Sequence, residues 1–312
     1  SSAKQIVERK WNPMKTEKKF KIGSIEILPL AVDHSVPGAM AFLIYTSEGT
    51  ILYSGDMRLH GTYGHFTKKM TEIAASEGID LFLCEGTRLG ETEAQSEKKV
   101  QTDSTKVIQN TNGLVLADYG FKDITRFQTF YEIAKNSGRK FVIGLKDAYL
   151  LQQLKGMVEG LPSVKDEHIE IHKRKMLTTP KPLRPLLEQD NVVTSEEINK
   201  KQNEKIVRLG FWEITELIDL QPKTGSQYIH SSCEPFNEEM EISQERLANW
   251  VDYFPLKKHQ IHCSGHAPQQ DIKAIIQTVK PKRLTPIHTV MAQKFEELKP
   301  KETKIEYAEL LR

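Results

Sequence analysis

The sequence predicts an α/β protein with a parallel, doubly wound sheet, and two observations support this fold class. From about Glu91 onwards, charged helical segments alternate with short apolar strands, an order that favours parallel strands joined by right-handed crossovers. Residues 260–290 read as a strand, a tight loop, a helix and a second strand, and Ile272, Ile275 and Ile276 have the spacing i, i+3 and i+4 of a buried helical face. At 312 residues the chain is long enough for two hydrophobic cores, and we expect two.

The predicted elements follow from local patterns along the chain. Apolar runs predict strands over 24–32, 40–46 and 50–54, the last two joined by a turn at 47–49, then a helix over 66–76 and a strand over 80–84. The alternating region is predicted to contain a strand over 113–117, a helix over 124–136 closed by Gly138, a strand over 140–144 and a helix over 147–158. Residues 160–190 are predicted to be the least structured part, 195–220 to be helical, and 226–230 and 259–263 to be strands. Pro268 suits the first position of the helix that follows.

Composition excludes several classes of protein. The 44 Lys and Arg residues nearly balance the 42 Asp and Glu residues, so any basic surface must come from local clustering. No run of about 18 apolar residues is present to cross a bilayer and no secretory signal is visible, so we expect a cytoplasmic protein with no membrane partner. Three cysteines without CxxC spacing (Cys84, Cys233 and Cys263) argue against a disulfide framework, and we interpret them as buried thiols.

Five polar residues follow predicted strands or lie between a strand and a helix: His34, Asp56, Glu85, His266 and His288. The carboxyl edge of an α/β sheet is where ligands bind, so this shared context indicates a site. Imidazole and carboxylate groups together are ligands that zinc prefers, and a carboxylate can bridge two ions. His266 has no partner at metal-binding spacing and, oriented by Glu85, would serve as a general acid. The other histidines singled out are interpreted as structural or surface residues: His60, His65, His168, His172, His230 and His259.

Several positions are predicted to contact phosphate or RNA. The amides of Gly265, His266 and Ala267 precede a helix, where free N–H groups and the helix dipole favour an anion. The basic stretch Lys173, Arg174 and Lys175 is either a solvated loop or a basic surface that follows a polyanion backbone. Together with three serines, the predicted phosphate and RNA contacts are Ser231, Ser232, Ser264, Gly265, Ala267, Lys173, Arg174 and Lys175.

Five segments, in this order, resemble the β-CASP nucleases of the metallo-β-lactamase fold, and most of all RNase J and its archaeal relatives: VDHSVPGAM, YSGDMR, LCEGT, CSGHAP and PIHTV. The resemblance covers essentially the whole chain. It implies that His34 and His288 are zinc ligands, that Asp56 is a bridging carboxylate, and that Glu85 and His266 form an acid pair, with Ser264 and Gly265 near the phosphate. It also implies two zinc ions per complete site.

The resemblance further implies a partial metallo-β-lactamase αββα sandwich with an inserted doubly wound α/β β-CASP domain. Residues 1–90 would form part of the lactamase domain, lacking its N-terminal portion, 91–249 the β-CASP domain, and 250–312 the return to the lactamase domain. RNA would run in the cleft between the two domains.

Two departures from the family pattern stand out. The family's central ligand motif, HxHxDH, occurs nowhere in this sequence, so only three of the expected metal ligands are present. The last segment reads IHTV where relatives usually have IHGE, which keeps the histidine and changes its surroundings, a difference that tunes metal affinity.

The leading hypothesis is a zinc-dependent, RNase J-like ribonuclease that hydrolyses RNA as a 5′ exonuclease, an endonuclease or both. On this hypothesis the chain is a C-terminal portion, and the HxHxDH motif comes from a missing N-terminal portion or a partner chain. Two alternatives stay open: a catalytically inactive RNA-binding or scaffold subunit, and a DNA nuclease of the same fold. RNA is the expected partner, and a homodimer also stays open.

Overall fold

The computed structural model describes residues 12–91, 95–175, 178–235, 237–254 and 256–307. In chain order the strands are β1 (Phe20–Ile22), β2 (Ile25–Ala31), β3 (Met40–Thr46), β4 (Gly49–Tyr53), β5 (Leu81–Glu85), β6 (Val115–Asp118), β7 (Lys140–Ile143), β8 (Ile169–Lys173), β9 (Val192–Thr194), β10 (Lys205–Arg208), β11 (Gln227–His230), β12 (Lys257–Gln260), β13 (Arg283–Ile287) and β14 (Lys304–Ile305). The α-helices are α1 (Gly64–Glu77), α2 (Glu97–Gln109), α3 (Ile124–Asn136), α4 (Leu145–Gln153), α5 (Ser195–Lys200), α6 (Leu217–Leu220), α7 (Glu238–Tyr253) and α8 (Gln269–Val279). Short 3-10 helices cover Lys181–Glu188, Gln202–Glu204, Phe211–Glu216 and Ala292–Glu297.

The first sheet has seven strands in the order β1-β2-β3-β4-β5-β13-β14. Strands β1 to β4 pair antiparallel, whereas β4, β5 and β13 pair in parallel. One face packs against α1 and α8, because Leu43 and Leu52 join Met70 of α1 and Ile276 of α8 in one buried cluster. Successive side chains of a strand point to opposite faces of the sheet. Leu43 and Leu52 therefore lie on the face that the two helices cover.

The opposite face of the first sheet is apolar and only partly buried. Phe42 pairs with Tyr53, and Ile44 pairs with Ile51, on the face that points away from the cluster with α1 and α8. These side chains remain partly accessible, and Tyr53 is 38% exposed. This sheet therefore has one covered face and one partly bare face.

The second sheet also has seven strands, in the order β12-β11-β6-β10-β7-β8-β9. All of its pairings are parallel, and apolar clusters cover both faces, as expected for a doubly wound sheet. Strand β6 leads to α3 on one face, whereas its two neighbours β10 and β11 lead to α6 and α7 on the other. The connections therefore switch faces around β6.

The fold class predicted from the sequence is confirmed, and so is the helix predicted over 124–136. Residues 160–190 are better ordered than predicted, since β8 and a 3-10 helix lie there. The helical prediction over 195–220 is wrong at Lys205–Arg208, which forms the fully buried strand β10. The strand predicted over 259–263 lies instead at Lys257–Gln260 and belongs to the second sheet. The three-part division of the chain stays a proposal, and this pairing favours a return to the first unit after Gln260 rather than after Asn249.

Two further points concern the surface. Cys84 and Cys263 are buried as predicted, but Cys233 is exposed, because it lies in the loop after β11 rather than within the sheet. Among the described residues, none of the helices is both long and apolar enough to cross a membrane.

Candidate metal centre and cleft

Three neighbouring strands deliver side chains to one edge of the first sheet. Asp56 follows β4, Glu85 is the last residue of β5, and His288 follows β13. Because β4, β5 and β13 are parallel neighbours, their carboxyl ends lie at the same edge. His266 reaches this edge from the loop between β12 and α8. The sequence positions span more than two hundred residues, yet the topology brings them together.

Asp56, Glu85, His266 and His288 each offer an atom able to bind a metal, and these atoms all lie within 4.8 Å of one another. His288 Nδ1 lies 3.1 Å from Asp56 Oδ1 and 3.0 Å from Thr87 Oγ1. The backbone of His288 has φ 53°, a left-handed conformation that a residue with a Cβ rarely adopts and that is concentrated at functional sites. The conformation is consistent with a side chain aimed into a site.

His34 stands beside this group and is held by a backbone contact. Its Nδ1 donates to the carbonyl of Gly265 over 2.6 Å, which leaves Nε2 facing Asp56 Oδ2 at 4.0 Å. Burial lowers the pKa of His34, and the nearby His266 lowers it further. A neutral imidazole whose second nitrogen bonds a carbonyl is the form in which histidine ligates metals.

Glu85 is fully buried and acts as an acceptor. Its carboxylate accepts hydrogen bonds from the Met57 amide at 2.8 Å and the Thr87 hydroxyl at 2.8 Å, and it lies 3.2 Å from His266 Nδ1. Burial alone would raise the pKa of Glu85, but these hydrogen bonds, led by His266, outweigh it and lower the pKa. The contact fixes Nδ1 of His266 as the donor and leaves Nε2 free for proton transfer.

The amides of residues 265–267, predicted to bind a phosphate, are only partly available. The Ala267 amide donates to the carbonyl of Met57 at 2.7 Å, and the His266 amide donates to the hydroxyl of Ser264 at 3.1 Å. The prediction of three exposed amides is therefore wrong for these two. Pro268 also occupies the N-cap of α8 rather than its first helical position.

Gly265 has the closest contact with the imidazole of His34. A Cβ at this position would lie 2.8 Å from His34 Cε1 and 2.7 Å from Ser35 Oγ, closer than real Cβ contacts. Glycine is therefore required for the loop to approach the candidate ligand.

The two serines after β11 have different environments. The Ser231 hydroxyl donates to the carbonyl of Ile261 and accepts from Arg126 Nη1, so it has no proton left to offer a phosphate. Ser232 is partly exposed and lines a separate cavity. The prediction that Ser231 binds phosphate therefore conflicts with its hydrogen bonds.

The basic stretch 173–175 lies away from β6, at the far side of the second sheet. It follows β8, which is separated from β6 by β7 and β10. Arg174 lies 3.7 Å from Glu213, and Lys175 pairs with Asp219 at 2.5 Å. Both charges already have acidic neighbours, which reduces what they would gain from RNA phosphates.

A buried charged network, which no local sequence pattern indicated, joins the two sheets at the SGH loop (residues 264–266). Arg58 is fully buried and donates to the Ser264 carbonyl at 3.0 Å and to Thr125 of α3 at 3.0 Å. Arg126 of α3 pairs with Glu97 at 2.8 Å and donates to the Ser231 carbonyl at 2.7 Å. Arg58 follows Asp56 within one motif and was recognisable as part of it, whereas Glu97 carries no local signal.

His262 belongs to the same network. Its Nδ1 lies 3.0 Å from the Ser231 carbonyl, and burial together with the charge of Arg126 lowers its pKa to about 4. A neutral His262 therefore lies four residues before His266, between the second sheet and the candidate metal centre.

The donor set suits a transition metal such as zinc. Asp56 and His288 belong to the clustered group, and His34 lies outside it with Nε2 4.0 Å from Asp56 Oδ2; together these three residues offer a carboxylate and two imidazoles, ligand types found in zinc sites. The Gly265 carbonyl orients His34 by hydrogen bonding, as second partners of zinc ligands do. A bound zinc ion would supply Lewis acidity toward a phosphodiester.

Comparison with known proteins places this geometry in context. Residues 255–306 match the model of a Zn-dependent metallo-hydrolase RNA specificity domain (RMMBL). Ribonuclease J of Sinorhizobium meliloti is 23% identical over 282 residues, which cover 86% of this chain and 47% of that protein. Ribonuclease J 1 of Streptococcus pyogenes is 26% identical over 282 residues, covering 88% of this chain and 47% of that protein. Ribonuclease J of Pyrococcus abyssi is 22% identical over 271 residues, covering 82% of this chain and 57% of that protein.

A solved structure shares the fold. A protein of unknown function from Enterococcus faecalis superposes with a TM-score of 0.77 at 24% identity, covering 97% of this chain and 66% of that chain. The solved structure and the matched segment fit a metallo-β-lactamase fold with a β-CASP domain. The similarity to ribonuclease J extends over 82% to 88% of the chain in these relatives and supports a relation to the β-CASP nucleases. It spans about half the length of the curated relatives first matched, at 47% of each.

Proposed function

We propose that this chain is part of a zinc-dependent ribonuclease that hydrolyses RNA phosphodiester bonds. The observation that carries the proposal is the convergence of Asp56, Glu85, His266 and His288 within 4.8 Å at one sheet edge. The ribonuclease J names of relatives that match 82% of the chain or more support RNA as the substrate.

The roles proposed for these residues follow from their contacts. His34, Asp56 and His288 would hold zinc, because the Asp56 carboxylate lies 3.1 Å from His288 Nδ1 and 4.0 Å from His34 Nε2. Glu85 orients His266 through Nδ1, and Nε2 of His266 would protonate the leaving oxygen.

Three ligands are enough for one zinc ion with an open position, and too few for two. We therefore propose that an HxHxDH segment completes a two-zinc site, either on a contiguous stretch of polypeptide or on a partner chain. Without that segment, the chain on its own would bind RNA without cutting it, which is the scaffold alternative.

The test is a cleavage assay on single-stranded RNA with the chain assembled with an HxHxDH-bearing polypeptide. We expect zinc in the purified assembly, and we expect His266→Ala to slow cleavage by about 100-fold or more while zinc content stays unchanged. Asp56→Asn is expected to lower zinc content itself. His65→Ala, an exposed histidine on α1, is the matched control and should cleave normally.

Three results would count against the proposal. These are an assembly without zinc, full activity of His266→Ala, and cleavage of the matching DNA strand in preference to RNA. The last result would favour a DNA nuclease, since the 2′-OH is the group that distinguishes the two polymers.

A further inference from the structure

The second sheet has a cavity of its own, at the carboxyl ends of β6, β10 and β11. Its volume is about 380 Å³, within the range of small-molecule sites. The connections from these three strands go to opposite faces of the sheet, and such a switch point opens a crevice that binds ligands in α/β proteins. The described lining residues are Asp118, Phe211, Trp212, His230, Ser232, Cys233, Pro235, Asn237, Glu239, Met240, Ser243, Gln244 and Leu247.

Two nearly buried polar side chains lie at the base of this cavity. Asp118 ends β6, His230 ends β11, and Asp118 Oδ2 lies 2.6 Å from His230 Nδ1. They are 4% and 8% exposed. Since a carboxylate only accepts, Nδ1 of His230 is the donor, and Nε2 is left as an acceptor toward the cavity. From the sequence His230 is interpreted as a structural residue, and the catalytic roles proposed above do not use it.

Aromatic side chains form the cavity's outer wall. Trp212 is 87% exposed, and its ring meets that of Phe211 edge to face at 5.3 Å. A tryptophan left this exposed beside an open cavity offers a flat surface on which a planar ring can stack.

The charges of the lining residues favour a hydrogen-bond donor over an anion in this cavity. Asp118 and Glu239 are the charged residues among the described lining positions, and no Lys or Arg is present there. These carboxylates disfavour a phosphate, whereas an exocyclic amine or a ring N–H would find acceptors at Asp118 and His230.

We infer that this cavity binds a nucleobase, which stacks on Trp212 and donates hydrogen bonds to the Asp118–His230 pair. The inference rests on the proposed function, because RNA would supply the base. The base belongs to a strand that also reaches the candidate metal centre: His230 precedes Ser231, whose carbonyl lies 3.0 Å from His262 Nδ1, and His262 leads into the SGH loop. The cavity thus holds one base of a strand whose scissile phosphate lies at the first sheet.

The test measures equilibrium binding of a fluorescently labelled, short single-stranded RNA to the full chain by anisotropy, with EDTA present so that no cleavage occurs. Trp212→Ala is expected to weaken binding about 5-fold to 100-fold, the range that loss of one stacked base produces. Trp212→Phe should retain most of the affinity. Tyr253→Ala removes another aromatic, 79% exposed and outside the cavity lining, and is expected to have no effect.

A second set of measurements tests whether the protein binds the base or the backbone. It also tests whether a free nucleoside binds as RNA does. An oligonucleotide with abasic positions should bind wild type more weakly and show no further loss with Trp212→Ala. Adenosine and cytidine are titrated separately against wild type and Trp212→Ala. Equal RNA affinity of wild type and Trp212→Ala overturns the inference, and so does a wild type that binds neither RNA nor nucleoside. Trp212-dependent binding of a nucleoside without binding of RNA supports the cavity and refutes RNA as substrate.

Discussion

Gly265 is the residue on which the position of His34 depends most directly. Its carbonyl accepts from His34 Nδ1 at 2.6 Å, and its missing side chain leaves room for the ring. This contact directs Nε2 toward Asp56, whereas burial lowers the pKa of His34 and favours the neutral ring, although the Gly265 carbonyl acts to raise that pKa. One backbone group thus sets the orientation of a proposed ligand, and burial favours its neutral form.

We predict that Gly265→Ala weakens zinc binding by about 10-fold to 100-fold, because the new methyl displaces the ring of His34. Affinity is measured by competition with a coloured chelator. Gly120→Ala is the control, since a Cβ there meets nothing within 4 Å. Unchanged zinc affinity in Gly265→Ala would mean that His34 is not a ligand.

His262 gives the molecule a specific sensitivity to acid. Its pKa is about 4 in the fold against a usual 6.5, because burial and Arg126 disfavour the charged ring. The unfolded chain therefore binds the proton more readily between these values, so stability present above about pH 6.5 is lost as the pH falls toward 4. The same holds for His172, whose pKa burial also lowers to about 4.

We predict that His262→Gln flattens the fall in unfolding free energy between about pH 6.5 and pH 4, by up to about 3 kcal/mol of the total change. Urea unfolding at a series of pH values measures this. His65→Gln, at an exposed position, should leave the slope as it is. An identical slope in His262→Gln would show that the ring is not kept neutral by the fold.

At the scale of elements, the two sheets meet through α3 and the SGH loop rather than through an apolar seam alone. Glu97 at the start of α2 has a pKa of about 2, since its contacts with Arg126 outweigh burial. Arg126 in turn holds the carbonyls of Ser231 and Cys263. The network fixes the loop that carries His266 with respect to the second sheet.

We predict that Arg126→Met destabilises the fold by about 3 to 5 kcal/mol, because Glu97 is left charged and buried with Arg58, 4.0 Å away, as its remaining cationic neighbour. The double variant Arg126→Met with Glu97→Gln should recover part of this loss. Lys99→Met, which breaks an exposed pair with Asp103 on α2, is expected to cost less than about 1 kcal/mol. Chemical denaturation measures all three, and equal costs for Arg126→Met and Lys99→Met would contradict the role given to the network.

Elements with strong local signals were predictable, and those fixed by tertiary contacts were not. The helix Ile124–Asn136 has an apolar face and an N-cap at Asp123, and the sequence predicts its bounds. Strand β10 reads KIVR, flanked by polar helical patterns, and only its burial between β6 and β7 makes it a strand. The residues of the candidate centre were recognisable as strand-end polar groups, whereas the contacts that consume the Ala267 amide and the Ser231 hydroxyl depend on distant segments.

At the scale of the whole molecule, the two sheets carry different chemistry. The first offers carboxylate and imidazole groups grouped within 4.8 Å, and the second offers a stacking surface and a paired acid and imidazole. The proposed phosphate chemistry and the proposed base recognition thus belong to separate layers joined by Arg58 and Arg126. Variants in one layer should therefore change binding or catalysis independently of the other.

The partly bare side of the first sheet bears on how the molecule behaves in solution. An apolar strip, partly exposed to water, is formed by Phe42, Ile44, Ile51 and Tyr53. Burying this strip is favourable by roughly 25 cal/mol for each Å² of apolar surface removed from solvent. We expect the chain on its own to bind hydrophobic dyes and to aggregate as its concentration rises. A polypeptide that covers this strip would also lie near Asp56. We therefore expect the same polypeptide to improve solubility and to complete the metal site.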